Sequence, residues 1–417
     1  MNWKILILLL VVIRHGLDFV LDYVRFRSAN NETPGNLRDV YDQDTYNTWK
    51  KYSAEKCRLH FVTTIVSLVV TLALLMFDVH ARVAALFYPN VYLRGLMVVI
   101  FQALVDALCA VGVNYADSFK IEEKYGFNRS TRKTFWMDQV RSLLIEVLLS
   151  GALICLLCLL HRGMGDWVIL LFTGAVFLLT LVISFLYPYL SRLGNKFVPL
   201  EEGELRDKLM ALLTNHGYTV KDIQVMDASR RTTKLNAYFA GFGKTKTIVL
   251  YDNLLNAMTP DEICAVFAHE LGHGLHKDVM KQQVMNLGNL LLMSVVVWLC
   301  VRTPQMHAAF GFDGVNYGFA YILLGAYLSL LQPLTGMAMN AYSRFAEYRA
   351  DRQAVEEGYG KALCTALKVL ARENFAHLAP SPLLVKLTYS HPPLSQRIAA
   401  IEAALSSREQ ESAGVGE

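Results

Sequence analysis

The chain of 417 residues alternates long apolar runs with polar connections, and the lengths of those runs decide its class. Seven runs stand out: Trp3–Phe26, Leu59–Phe77, Tyr92–Ala116, Leu143–Leu160, Trp167–Leu190, Met285–Val301 and Gly318–Met337. Each is near the roughly 20 residues a helix needs to cross the hydrocarbon core of a bilayer. They predict a polytopic α-helical membrane protein with seven spans. The first run has a second reading, because Lys4 ahead of the apolar Ile5–Ile13 has the form of a signal peptide. No small-residue cleavage site follows it, and Arg14, Asp18 and Asp22 recur at spacings of four on one helix face. A span with one polar side turned to the protein interior fits that spacing better.

Between the fifth and sixth runs the pattern changes to that of a water-exposed α+β unit. Glu201–Gly217 reads as an amphipathic helix with Leu205, Leu209, Leu212 and Leu213 on one side. IQVMD follows as a strand, then two strands at Ala237–Ala240 and Thr247–Tyr251 joined by a Gly-containing turn. Pro260-Asp261-Glu262 marks the start of another helix. The expected division is 1–194 for spans one to five, 195–284 for the α+β part, 285–338 for spans six and seven, and 339–417 for a C-terminal helical part. Asn30–Asp44 is a polar loop.

Composition agrees with this pattern: 54% of the residues are hydrophobic and 18% charged, against about 25% charged in soluble domains. Lys and Arg concentrate between spans one and two and between three and four, and are sparse on the other side. The positive-inside rule then puts the α+β part and the C-terminus in the cytoplasm. The net charge of +4 is spread over these loops without aromatic-basic interleaving, which gives no case for nucleic acid. Cys155 and Cys158 form a C-x-x-C inside an apolar run, where packing is the simpler reading. Gln102, Asp106, Asn114 and Glu146 are polar groups within spans, expected to face the bundle interior.

The chemistry concentrates in VFAHELGHGLHKD, residues 266–278. In a helix His269 and His273 lie one turn apart on one face, so both imidazoles reach a common metal ion. Glu270 flanks that face, where a carboxylate can accept a proton from an activated water. An amphipathic helix with two partly exposed histidines is the bland alternative. His276 is about 10.5 Å of rise from His269, too far to share a tetrahedral ion. A continuous helix from His273 to Met285 would set the metal about 18 Å from the start of span six, close to the membrane face.

A catalytic zinc takes three protein ligands, and the candidates for the third lie after span seven. In SRFAEYRAD, Glu347 and Asp351 are four apart, a like-charge spacing that needs a cation to offset it. Either the neighbouring arginines supply it on a solvated face, or Glu347 ligates the metal while Asp351 bonds a ligating imidazole. SHPPLSQR brings His391 and Arg397 around a Pro-Pro turn, where they could stabilise an oxyanion or be mere surface residues.

Taken together, HELGH (269–273), SRFAEYRAD (343–351), SHPPLSQR (390–397), NAYFAGF (236–242), IVLYDNLL (248–255) and IEEKYGFN (121–128) resemble the type I CAAX prenyl endopeptidases over most of the chain. The resemblance implies seven spans enclosing a chamber, capped by a zincin-like metalloprotease domain. It implies one Zn2+ per chain, held by His269, His273 and Glu347, with Glu270 as general base and Asp351 behind a ligand. It further implies that His391 and Arg397 assist the transition state. Asn236, Ala237, Tyr238 and Phe239 would pair with an extended peptide by strand addition. Substrates would be prenylated or other lipid-modified C-a-a-X proteins at the membrane. Two departures stand out. HELGH is followed by GLHKD, where a bulky residue at 274 and a basic or His residue near 278 would be expected from some members of the family. The chain ends ESAGVGE without a retrieval signal, which favours a bacterial cytoplasmic membrane. A broad quality-control protease of membrane proteins, and a non-catalytic scaffold or transporter, are the competing readings; the oligomeric state is left open.

Overall fold

The apolar runs are helices in the computed structural model, which describes residues 2–190, 195–240 and 245–414. In order these are α1 (Trp3–Ser28), α2 (Gln43–Met76), the short α3 (Val79–Ala85), α4 (Val91–Ala116), α5 (Arg132–Met164) and α6 (Trp167–Leu190). Among the described residues six helices are long and apolar enough to cross a membrane. These are the second to seventh predicted runs. Their apolar residues point outward: Leu148, Leu171, Leu178 and Val284 are all exposed. In water so much contiguous apolar surface would not persist, whereas lipid chains are its natural solvent.

The first run is a helix of 26 residues, but its charges set it apart from the six. Its polar groups are spent on neighbours. Arg14 bonds Asp18 and donates to the Ser329 carbonyl, and buried Asp22 accepts from His60 at 2.6 Å and Arg25 at 2.9 Å. The polar side therefore turns inward, as its spacing predicts. Of the polar groups inside spans, Gln102 bonds both His80 and Asp106, and Asn114 bonds Gln139. Glu146 lines a largely apolar cavity bounded by α5, α6 and the segments 290–297 and 317–324. Cys158 is buried and the seven cysteines are free, so the C-x-x-C is packing.

The α+β unit comprises β1 (Phe197–Pro199), α7 (Glu204–Thr214), β2 (Thr219–Met226), β3 (Ala237–Ala240), β4 (Thr245–Tyr251), α8 (Asp252–Ala257) and α9 (Pro260–Leu275). The four strands lie in the order β1-β2-β4-β3, with β2 and β4 parallel and β3 antiparallel at the edge. The expected turn between β3 and β4 lies outside the described residues. Thr259 and Glu262 form a capping box at the start of α9, with Pro260 in its first turn. Leu209, Leu213, Ile248, Leu250, Phe267 and Leu271 form the buried seam between this sheet and the helices.

The helix of HELGH does not run on into the membrane as a single rod. It ends at Leu275, Lys277 adopts a left-handed conformation (φ 56°), and α10 (Asp278–Arg302) starts anew. After the short α11 (Pro304–Ala308), α12 (Tyr317–Glu356) is 40 residues long, about 60 Å. It outruns its apolar stretch and carries EYRAD beyond the span. The chain closes with α13 (Gly360–Glu373), α14 (Pro382–Thr388) and α15 (Leu394–Gly414).

Two junctions bind the membrane helices to the rest. The IEEKYGFN segment bridges through Asn128 to Thr232 and sets Phe127 against Tyr52 and Phe375. Within the membrane, α4 and α12 touch backbone to backbone at Gly95 and Gly318, where an added Cβ on Gly318 would run into the Gly95 carbonyl. Gly318→Ala should therefore cost about 1–3 kcal/mol of overpacking and lower the melting temperature in detergent. Gly288→Ala, with nothing within 4 Å of the added carbon, should leave it unchanged.

Candidate metal centre and active site

Two helices build the site by an unusually close crossing. A Cβ on Gly272 would lie 2.8 Å from the Ala350 Cα and 3.0 Å from the Gln353 Cβ, so α9 and α12 meet with no side chain between them. Only glycine permits this approach, and it falls between the two histidines of HELGH. The crossing sets Glu347 of α12 opposite His269 and His273. Their Nε2 atoms lie 3.5 Å from Glu347 Oε2 and 3.3 Å from Oε1, respectively. One ligand atom from each of the three residues falls within 4.8 Å of the others, the arrangement that can hold a metal ion.

Each imidazole is fixed from behind. His269 Nδ1 bonds Asp351 at 2.9 Å and His273 Nδ1 bonds Asp278 at 3.0 Å. These carboxylates hold the rings so that Nε2 faces Glu347 and raise their basicity as ligands. Asp278 in turn accepts from Tyr342 at 2.7 Å and from Arg349. The break at Lys277 makes the Asp278 contact possible, because it turns the first residue of α10 back toward the preceding helix. Among the described residues the His276 ring bonds the Gly272 carbonyl through Nδ1 and takes no place among the three.

Arg397 is buried behind the ligands. It donates to both oxygens of Asp351, at 2.9 and 2.6 Å, and lies 3.2 Å from Glu347 Oε2. His391 sits in front, with 62% of its side-chain surface exposed and Nε2 3.3 Å from Glu347 Oε1. Its loop is fixed by Arg344, which donates to the carbonyls of Val385 and Tyr389. Desolvation by the surrounding protein lowers the His391 pKa from its ordinary value even though the side chain is largely exposed; Glu347 opposes that shift, and Arg397 and the two histidines reinforce it. Glu270 is half-buried and makes no hydrogen bond among the described residues, leaving its carboxylate available. Asn236 precedes the edge strand, is exposed, and accepts the Ala237 N–H; Ala237, Tyr238 and Phe239 pair through β3 with β4.

The donor set fits a divalent cation. Glu347 Oε2 is buried with no hydrogen bond and only the Arg397 ion pair at 3.2 Å to offset it, so a bound cation would complete its surroundings. The sequence signals HELGH and EYRAD find the three ligand candidates, but Asp278 went unread. It stood out only as an acid where a basic residue was expected.

Two consequences follow for the metal. Asp278→Ala should weaken metal affinity 10- to 100-fold, as loss of a group behind a ligating imidazole does, measured by competition with a fluorescent chelator. The second concerns pH. Burial pushes the His273 pKa down, but hydrogen bonds that the ring donates to Glu347 and Asp278 outweigh it and hold the ring at about 9 in the metal-free site. Below that pH a metal ion must displace a proton, so its apparent affinity should rise about tenfold per unit from pH 7 and level off above about 9.

The chain is similar to known proteins over most of its length. A model for the CAAX prenyl protease N-terminal region, with five membrane helices, matches residues 23–192, and one for peptidase family M48 matches residues 199–405. CAAX prenyl protease 1 homologs of Oryza sativa and Arabidopsis thaliana are 29% and 30% identical to the chain. They align with 97% and 88% of it, and 98% and 90% of their own lengths are covered. CAAX prenyl protease 1 of Saccharomyces cerevisiae is 28% identical over 96% of the chain and 95% of its own length. The crystal structure of S. mikatae Ste24p superimposes with a TM-score of 0.86 at 26% identity, covering 96% of this chain and 99% of that one. These relatives are eukaryotic and lend nothing to the expectation of a bacterial source. With the metal-ligating geometry and the membrane helices in place, the chain belongs to the CAAX prenyl protease 1 family of membrane metalloendopeptidases, with a catalytic part of peptidase family M48.

Proposed function

We propose that the protein is a zinc endopeptidase that cuts C-a-a-X-type prenylated proteins near their C-terminus, at the cytoplasmic face of the membrane. The observation that carries this reading is the convergence of His269, His273 and Glu347 on one point beside an unengaged Glu270. Two imidazoles and one carboxylate favour zinc over harder cations. The prenylated substrate comes from the relatives' names and from the membrane setting of the site. The cytoplasmic orientation rests on the Lys and Arg of the predicted connections between spans one and two and between three and four.

Zinc, when bound, supplies Lewis acidity that makes a water nucleophilic at neutral pH and polarises the carbonyl it faces. The chain's own residues do the rest. Glu270 takes the proton from the attacking water and delivers it to the departing amine nitrogen. With the Ser390 hydroxyl on His391 Nδ1 at 2.9 Å, the ring's Nε2–H is left to donate to the developing oxyanion. Arg397 acts through other groups: it positions Asp351, and thereby His269, and offsets the charge of Glu347. The open edge of β3, from Asn236 through Ala237, Tyr238 and Phe239, offers backbone groups to an extended substrate.

The test is cleavage of a farnesylated C-a-a-X peptide by detergent-purified protein. Glu270→Gln should lower kcat about 10²- to 10⁴-fold with metal content unchanged. Equal turnover by wild type and variant would refute the assignment of Glu270.

A further inference from the structure

A second polar space adjoins the site and has no part in the chemistry above. It is a cavity of about 430 Å³ bounded by the end of α1, by α2, by the end of α4 and by the 375–389 segment. Its polar lining includes Arg25, Lys56, His60, Asp117, His377 and Tyr389. Tyr389 is two residues before His391, and two extended residues span at most about 7 Å. His391 in turn lies 3.3 Å from Glu347, so the wall of this space that carries Tyr389 is continuous in the chain with the site.

Its cations are not equivalent. Lys56 is held between Asp117 and Glu122, at 2.5 Å from each. His377 Nε2 donates to the Ser28 carbonyl at 3.1 Å. Arg25 uses only Nη1, on Asp22 at 2.9 Å, and Asp22 shares its charge with His60 Nδ1 at 2.6 Å. Asp22 is 3% exposed, whereas the Arg25 side chain keeps 36% of its surface. The anchored guanidinium thus presents its remaining N–H groups to the cavity. Beside it, the Tyr389 hydroxyl has no partner among the described residues. Burial raises the Tyr389 pKa and Arg25 draws it back down, so the two sense one another.

We infer that Arg25, with the Tyr389 hydroxyl, receives the free C-terminal carboxylate of the peptide substrate. A guanidinium fork matches a carboxylate in shape and charge. Anchoring the chain end there fixes how far from it the cut falls. Arg25 is a specificity-determining residue on this account, and the inference rests on the peptidase function proposed above.

The test compares two farnesylated peptides of one sequence, a C-terminal acid and its amide, with zinc-loaded full-length protein. The wild type should prefer the acid at least tenfold in kcat/KM, mainly through KM. Arg25→Gln should bring that ratio close to one, Arg25→Lys should restore part of it, and Tyr389→Phe should lower it less. An unchanged ratio in Arg25→Gln, with both rates reduced alike, would make Arg25 a structural partner of Asp22 and overturn the inference. So would a wild type that cuts acid and amide equally. Failure of the wild type to cut either peptide would instead overturn the peptidase reading, and this inference with it.

Discussion

The backbone contact between α9 and α12 at Gly272 is the constraint on which the site depends. Two histidines one turn apart cannot complete a metal site by themselves. The candidate third ligand comes from a helix whose Asp351 lies 82 positions beyond His269, and it has to approach to within a few ångströms. The missing side chain at Gly272 lets Ala350 come in, and Glu347 and Asp351 arrive one turn apart on the same face. One of them faces both imidazoles and the other grips His269 from behind. A bulkier residue at 272 would push the two helices apart at the one level where their separation matters.

Around that contact the charges form a closed set. Glu347, Asp351 and Asp278 are buried carboxylates, which is costly unless each has partners. Arg397 serves Asp351 and Glu347, while Arg349 and Tyr342 serve Asp278. Two buried atoms of this set make no hydrogen bond, Arg349 Nε and Glu347 Oε2, and the latter lies 3.5 Å from His269 Nε2. The membrane helices add position to this chemistry. The 40-residue α12 is at once a span and the carrier of Glu347, so the site is tied rigidly to the membrane.

Much of this was legible in the sequence, and the failures have physical causes. Apolar runs report membrane thickness, so six spans were found by length alone. They report nothing of how far a helix continues in water, which is why α2 begins at Gln43 rather than near Leu59. The first run is ambiguous for a related reason: its charges are satisfied inside the fold, which no hydropathy pattern reveals. The spacing in HELGH pointed to a metal because ligand chemistry restricts residue type and helical position, whereas Glu347, Asp351, His391 and Arg397 each kept a bland alternative and were singled out only by the resemblance. Asp278 could not be read, because it follows His273 by five positions, off the face of a continuous helix. Only the left-handed turn at Lys277 brings it round, and a lysine gives no warning of that conformation.

The most direct measurement of the central claim is the metal content of purified protein, wild type beside Glu347→Ala. Joint ligation by His269, His273 and Glu347 predicts one zinc per chain in the wild type and little or none in the variant after dialysis. A full equivalent of zinc retained by Glu347→Ala would contradict it, since the ion would then be held without the helix crossing that brings Glu347 to the histidines.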